Sequence, residues 1–269
     1  MNSVQKILPF YFRLSDKPLF GCYHEPSTSR PRSCGILICQ PVGHEYVNSH
    51  RALRHLAARL AEAGFPVLRF DYYGCGDSSG NSEDASVAQW VKDISAAVVE
   101  LRRRSGLFRI CMVGLRLGAT LATLAAAQRG DVESMVLWGP VAEGENYFDE
   151  LLLLEREMLR FRPKQRHNQK SDVQIEILGF PWSHAFIAEI KDINLGIIAQ
   201  SITKNLLLLR NDSEGSANNW QDRVVHLAAR VEHRCLKAPE IWLPTADGSL
   251  LVPAQVLQAV VSWNSEIHS

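Results

Sequence analysis

The sequence lacks any apolar run approaching the length needed to cross a bilayer. It also lacks a surplus of either charge: 29 lysines and arginines cancel 29 aspartates and glutamates. Nothing overall therefore suggests nucleic acid or an anionic membrane surface as a partner. The six cysteines (22, 34, 39, 75, 111 and 235) show no paired metal-site spacing. Three of them fall in or beside predicted core strands, so they read as buried thiols of a reducing compartment rather than a disulfide frame. The first fourteen residues contain no continuous apolar h-region and no small-residue cleavage site. Internal repeats, low-complexity tracts and linkers are missing too. These absences lead us to expect a cytoplasmic protein without a membrane span, cofactor or metal.

The chain has enough apolar residues to bury a full core: 46% of its 269 residues are hydrophobic and 22% are charged. Two short strand candidates, Leu8–Leu14 and Leu19–His24, flank a turn at Ser15-Asp-Lys-Pro18 and suit an antiparallel edge. Cys34–Gln40 is an unbroken apolar strand of the kind buried on both faces. A helix over roughly Asn48–Ala63 places Leu53, Leu56 and Leu60 on one face and stops at Gly64. Phe65–Asp71 reads as a strand, followed by the glycine-rich turn Tyr72–Gly80. A second helix over roughly Asp84–Arg104 carries Val87, Val91, Ile94, Val98 and Leu101 at helical spacing. Ser134–Pro140 is another buried strand. Strands alternating with helices at this spacing mean a mostly parallel, doubly wound α/β sheet.

The alternation breaks over residues 141–204, where a leucine-rich helix from Tyr147 to about Phe161, a basic stretch over 160–170 and a helical part over 182–199 are expected. The core pattern resumes with a strand at Asn205–Asp212, a helix near Trp220–Val231, a last strand at Ile241–Leu243 and a C-terminal helix over Pro253–Trp263. The expected organisation is a core of residues 1–140 and 205–269 with a helical lid inserted at 141–204.

The chain is organised around Arg109–Thr120, R-I-C-M-V-G-L-R-L-G-A-T. Apolar residues run into Gly114, a second glycine follows four residues later, and a small-residue helix continues. This is a strand, a sharp turn and a helix, the frame in which a nucleophile elbow holds serine as G-x-S-x-G. Here the frame is G-L-R-L-G, and the serine position is Arg116. A guanidinium stays protonated at any working pH and attacks no carbonyl.

With that frame goes the stretch Gly43–Gly80, G-H-E-Y-V-N-S-H-R-A-L-R-H-L-A-A-R-L-A-E-A-G-F-P-V-L-R-F-D-Y-Y-G-C-G-D-S-S-G. Together they resemble the α/β-hydrolase superfamily, in particular its serine aminopeptidase-like, S33-type branch. G-L-R-L-G-A-T-L-A and V-L-W-G-P-V resemble more narrowly a subgroup with exosortase-associated hydrolases and hydrolase-like proteins of biosynthetic clusters, where an elbow arginine is habitual. The resemblance implies an α/β-hydrolase fold with a lid. It places oxyanion-hole N–H donors at Val42 and Leu117 and the triad acid at Asp212. The triad histidine would belong in the loop Pro244–Pro253, which holds Asp247, Gly248 and Ser249 but no histidine. A serine triad needs all three members in one hydrogen-bonded chain, and two are missing.

Arg116 would stand at a helix N-terminus, where the macrodipole disfavours a cation, so it needs an anion. That anion is either a ligand group held by its fork or an internal carboxylate from Glu45, Asp212 or Asp247. His44 could act as a general base or simply cap the following helix. Gly43, Glu45 and Tyr72 are candidates to line a pocket. Asp71, Gly74, Gly76 and Asp77 read as a structural turn, and His184, His226 and His233 as structural. Cys75, on an exposed turn, is the one plausible displaced nucleophile. The leading expectation is a non-hydrolytic enzyme carrying out cyclisation, isomerisation or elimination on a small acyl or carbonyl substrate, free or carrier-bound. Arg116, His44 and Asp212 are its catalytic candidates. The alternatives are a non-catalytic pseudohydrolase and an atypical ester or thioester hydrolase; a homodimer is left open.

Overall fold

The computed structural model describes residues 6–14, 16–160, 174–211 and 220–269. The expected Asp212 and the basic stretch beyond Arg160 lie outside the described residues. Eight strands form the main sheet: β1 (Ile7–Leu14), β2 (Lys17–His24), β3 (Cys34–Cys39), β4 (Val67–Phe70), β5 (Arg109–Leu115), β6 (Ser134–Trp138), β9 (Thr203–Asn211) and β10 (Ala228–Leu236). A separate hairpin supplies β7 (Gln174–Ile177) and β8 (Phe180–Ser183). The strand order is β1-β2-β4-β3-β5-β6-β9-β10. β1, β2 and β4 pair antiparallel and every later neighbour pairs parallel. The sheet is thus mostly parallel with an antiparallel N-terminal edge.

Residues alternate between the two faces of the sheet, as a period of two requires. Leu37, Cys39 and Met112 join the core on one face with α2 (Val87–Ser105) and α3 (Leu117–Arg129). Ile36, Ile38, Cys111 and Val113 join the core on the other with α1 (Gly43–Glu62) and α7 (Ala254–Ile267). Both faces are covered, which is why these strands are apolar throughout. Among the described residues no helix is long and apolar enough to cross a membrane.

Several expectations are corrected. α1 begins at Gly43, five residues before the expected start, so His44 and Glu45 lie in its first turn and not in a loop. The Ile241-Trp-Leu segment is a turn rather than the last strand. That place belongs to β10, where a helix was expected to run on to Val231; only Trp220–Val224 is α-helical there (α6). Pairing with β9 overrides the local helical spacing. Between β6 and β9 lie α4 (Gly144–Leu159), the hairpin, and α5 (His184–Lys191), so Trp182 and Ser183 are strand and not helix. The hairpin turn sets both Leu178 (φ 52) and Gly179 (φ 86) in the left-handed region, as a tight two-residue turn demands.

Glycines fix how the central turn is packed. A Cβ on Gly118 would collide with the backbone carbonyls of Cys39 and Gln40, so α3 can start against the end of β3 only with glycine there. We expect Gly118→Ala to cost about 1–3 kcal/mol, since the obstacle is backbone and must be displaced; equilibrium urea unfolding against wild type measures it.

Candidate active site

The turn between β5 and α3 consists of Arg116 alone, at φ 52 and ψ −126, serving as N-cap of α3. A non-glycine residue in that region is strained by about 1–3 kcal/mol and persists only where its surroundings determine it. The backbone here is fully used. Arg116 N donates to Trp138 O (3.0 Å), and Arg116 O accepts from Ala119 N (3.0 Å) and Thr120 N (3.3 Å). Thr120 Oγ1 donates to Val141 O at 2.8 Å, fastening the first turn of α3 to the chain beyond β6.

Arg116 is buried, with its side chain 11% exposed, and lies among groups from three other elements. Its Nε donates to Glu45 Oε1 of α1 at 2.8 Å, and its Nη2 donates to Glu150 Oε1 of α4 at 2.6 Å. Tyr147, one turn before Glu150 on α4, donates its hydroxyl to Glu45 Oε2 at 3.1 Å. Aromatic rings flank the cation: the Arg116 Cζ is 5.5 Å from the Tyr147 centroid and 5.2 Å from that of Trp242, both within cation–π range. Trp242 is itself fixed edge-on against Trp138, with its carbonyl accepting from Asn48 Nδ2 at 3.0 Å.

Glu45 is 1% exposed. Burial pushes its carboxyl up from the usual range, against the pull of the Arg116 guanidinium and the Tyr147 hydroxyl. Its place in the first turn of α1 favours the anion. Burial alone would lower the Arg116 guanidinium, but the Glu45 and Glu150 carboxylates hold it above its ordinary value. His44 is half-buried; burial, and then the charge of Arg116, bring its imidazole down to about 4. It is therefore neutral at pH 7 and a weak base.

The remaining candidates separate clearly. Val42, the N-cap of α1, and Leu117, the first residue of α3, are both buried. As the opening residues of α3, Leu117 and Gly118 carry N–H groups without intrahelical acceptors. Gly43 takes φ 59 and starts α1. Tyr72 is fully buried, donating to Gln40 O at 3.1 Å and packing on Trp90, so it belongs to the core. Asp247 is not brought to Arg116: it is exposed and accepts from Ser249 N at 3.0 Å within its own turn. Asp71 accepts from Gln40 Nε2 and Asp77 N, holding the glycine-rich turn. Cys75 in that turn is half-buried rather than exposed, and burial, followed by Asp71 and Asp93, pushes its thiol up to about 12. A thiol so protonated is no nucleophile at neutral pH.

Glu150, Tyr147 and Trp242 were not singled out from the sequence as site residues. Only the apolar spacing of the leucine-rich helix around the first two pointed to an element there, and nothing in that spacing marks a residue facing the elbow. Trp242 comes from the loop after β10, residues 237–253, in which the sequence contains no histidine.

A serine–histidine pair lies at the far end of the sheet, where Ser134 Oγ is 2.8 Å from His268 Nε2. Arg109 Nη2 stands 3.4 Å from His268 Nδ1. A guanidinium only donates, so Nδ1 accepts, and the neutral ring carries its proton on Nε2 and donates it to Ser134. Histidine in that tautomer does not activate the serine. Both residues are buried, and the pair is structural. Among the described residues no group of three His, Cys, Asp or Glu side chains could hold a metal ion.

Eight strands in this order, with the sharp turn after the central β5, define an α/β-hydrolase fold, and solved structures agree. The chain matches Est1E from Butyrivibrio proteoclasticus with bound ferulic acid at TM-score 0.67 and 17% identity, covering 96% of this chain and 97% of that one. It matches the Pyrococcus furiosus esterase PF2001 at TM-score 0.68 and 16% identity, covering 98% and 92%. Residues 42–184, more than half of the chain, match the family model described as serine aminopeptidase, S33. The chain belongs to that family. The human mitochondrial palmitoyl-protein thioesterase ABHD10 is 33% identical over 98 residues, which is 36% of this chain and 30% of that protein's length.

Proposed function

We propose that this chain is a non-hydrolytic member of its family that binds a small acyl or carbonyl compound against Arg116, in the manner of a ligand-binding or accessory pseudohydrolase. The observation that carries the reading is the engagement of Arg116 at the elbow turn by Glu45, Glu150, Tyr147 and Trp242. A hydrolase would need a nucleophile at that turn and an imidazole facing it. Here a cation occupies the turn and an indole stands over it. Esterase and thioesterase relatives make the acyl group the natural ligand class, and the helix-start N–H groups of Leu117 and Gly118 suit a carbonyl oxygen. Residues 141–204, with α4 supplying Glu150 and Tyr147, serve as the lid. The elbow arginine also favours the subgroup of hydrolase-like proteins of biosynthetic clusters. Buried free thiols at Cys34, Cys39 and Cys111 suit the cytoplasm.

A second reading, a non-hydrolytic enzyme for cyclisation, isomerisation or elimination, is favoured by Glu150. Its side chain is 45% exposed while touching Arg116, so it is an acid–base group that a substrate could reach. It ranks second, because Glu45 has both oxygens occupied and His44 is a weak base, whereas the sequence alone placed the enzyme first.

An ester and thioester hydrolysis panel on wild type, Arg116→Ser and Arg116→Ala tests the proposal. We expect wild type to stay at background and Arg116→Ser to remain there, since a serine at the turn still lacks its imidazole. A wild-type rate above background, lost in both variants, would overturn the reading and make Arg116 catalytic.

A further inference from the structure

We propose that the ligand carries a carboxylate, which takes the place of Glu150 on Arg116, so that Glu150 is an internal stand-in for the ligand's own acid group. The proposal rests on the reading that ligand meets Arg116, and it narrows the ligand class from acyl and carbonyl compounds to free carboxylic acids.

The two carboxylates on Arg116 are not equivalent. Glu45 is 1% exposed, engages Arg116 through one oxygen and Tyr147 through the other, and sits in the first turn of α1. Removing it would strand a buried cation and a buried hydroxyl. Glu150 meets Arg116 through Oε1, and its side chain is 45% exposed, on the middle of α4. It can swing into water without any movement of the helix, and there its charge is solvated at little cost.

A guanidinium presents five N–H donors in a fixed planar fork suited to a carboxylate. The Arg116 edge that Glu150 occupies is therefore already shaped for an incoming acid. Charge also selects. With Glu45 paired to Arg116, Glu150 is the surplus carboxylate, and exchanging it for a ligand carboxylate leaves the charge of the buried cluster unchanged. A neutral ester, thioester or amide that displaced Glu150 would leave Arg116 with one charged partner in place of two. The buried rings of Tyr147 and Trp242 hold the guanidinium in place, so its orientation toward the Glu150 side does not depend on Glu150.

The test is calorimetric titration of acetate, benzoate and octanoate, with benzamide and octanamide as neutral controls, into wild type, Glu150→Gln and Arg116→Met. Glutamine keeps the size of the side chain but not its charge. Glu150→Gln is expected to bind benzoate or octanoate about tenfold more tightly than wild type, the factor for an internal competitor that occupies Arg116 about nine-tenths of the time. The amides should gain nothing, and Arg116→Met should lose carboxylate binding. In Glu150→Ala, acetate should raise the melting temperature relative to chloride at equal ionic strength by refilling the vacated place, and wild type should show no such rise. Carboxylate affinity in Glu150→Gln that is unchanged, weaker or undetectable overturns the proposal, as does the lack of an acetate effect on Glu150→Ala. The hydrolysis panel reads the broader function separately: ester turnover would end that reading, whereas failure of the titrations alone removes only the carboxylate.

Discussion

Replacing Glu45 by alanine is expected to destabilise the protein by about 3–5 kcal/mol, the loss typical of breaking a buried ion pair from one side. The variant leaves Arg116 buried with a single, half-exposed carboxylate and deprives the buried Tyr147 hydroxyl of its acceptor. The cost arises from what is left behind, and that makes a second variant informative. Glu45→Leu combined with Arg116→Met and Tyr147→Phe removes all three polar groups together and fills their volume with apolar atoms. We expect the triple variant to recover most of the stability, because a buried charge pair contributes little over a well-packed apolar replacement. Urea unfolding at fixed pH measures both. A Glu45→Ala variant within about 1 kcal/mol of wild type would show that water reaches Arg116 freely; the cluster would then not be a buried one.

On these expectations the cluster adds little to stability, while its polar groups are costly to strand one at a time. That is the pattern expected where polar groups are kept for what they bind rather than for the fold. The strained φ of Arg116 points the same way, since glycine would take that backbone without penalty.

How far the sequence reveals this protein depends on where each element's apolar residues go. β3, β5 and β6 read directly, because strands covered on both faces are apolar at every position. β10 did not: as the outer strand of the sheet it is half exposed, its A-A-R-V-E-H-R-C-L carries no apolar run, and pairing with β9 decides its conformation. Ile241-Trp-Leu misled for the opposite reason. Ile241 and Trp242 are buried in the core beside α1 and α7, so they are apolar without being strand. The hairpin escaped notice because its turn places Leu178 at positive φ, where asparagine or glycine would normally mark it. In the site, Arg116 and Glu45 were legible because the G-L-R-L-G frame and the end of β3 fix both locally. Glu150 and Trp242 reach Arg116 from distant elements, and no local spacing encodes that approach.

Stability should fall steeply as the pH drops from 6.5 toward 4, and two buried histidines far from Arg116 account for much of the fall. His24 and His268 are 0% and 1% exposed. Burial, aided by Arg69 and Arg54, brings His24 down to about 4; burial, aided by Arg109, does the same for His268. Unfolded histidine titrates near 6.5, so between about pH 4 and 6.5 the unfolded chain binds more protons than the folded one. The stability these neutral rings provide is complete above pH 6.5 and is lost as the pH falls toward 4. Each contributes up to about 1.4 kcal/mol per pH unit in that window, and the two together about 3. The neutral ring of His44, also brought down to about 4, adds to the same loss, while the raised carboxyls of Glu45 and Asp93 act with the opposite sign. Over the whole window the two rings remove about 7 kcal/mol, enough to unfold a protein at the lower end of the usual range of about 5–15 kcal/mol as the pH nears 4. His268→Gln isolates half of it: the amide can accept from Arg109 and donate to Ser134 as the imidazole does, but does not titrate. Urea unfolding at pH 5.0, 5.5, 6.0 and 6.5 should give the variant a slope shallower than wild type by about 1 kcal/mol per pH unit. Equal slopes would mean that His268 takes up its proton as readily folded as unfolded, and the tautomer assigned to the Ser134 pair would fall with it.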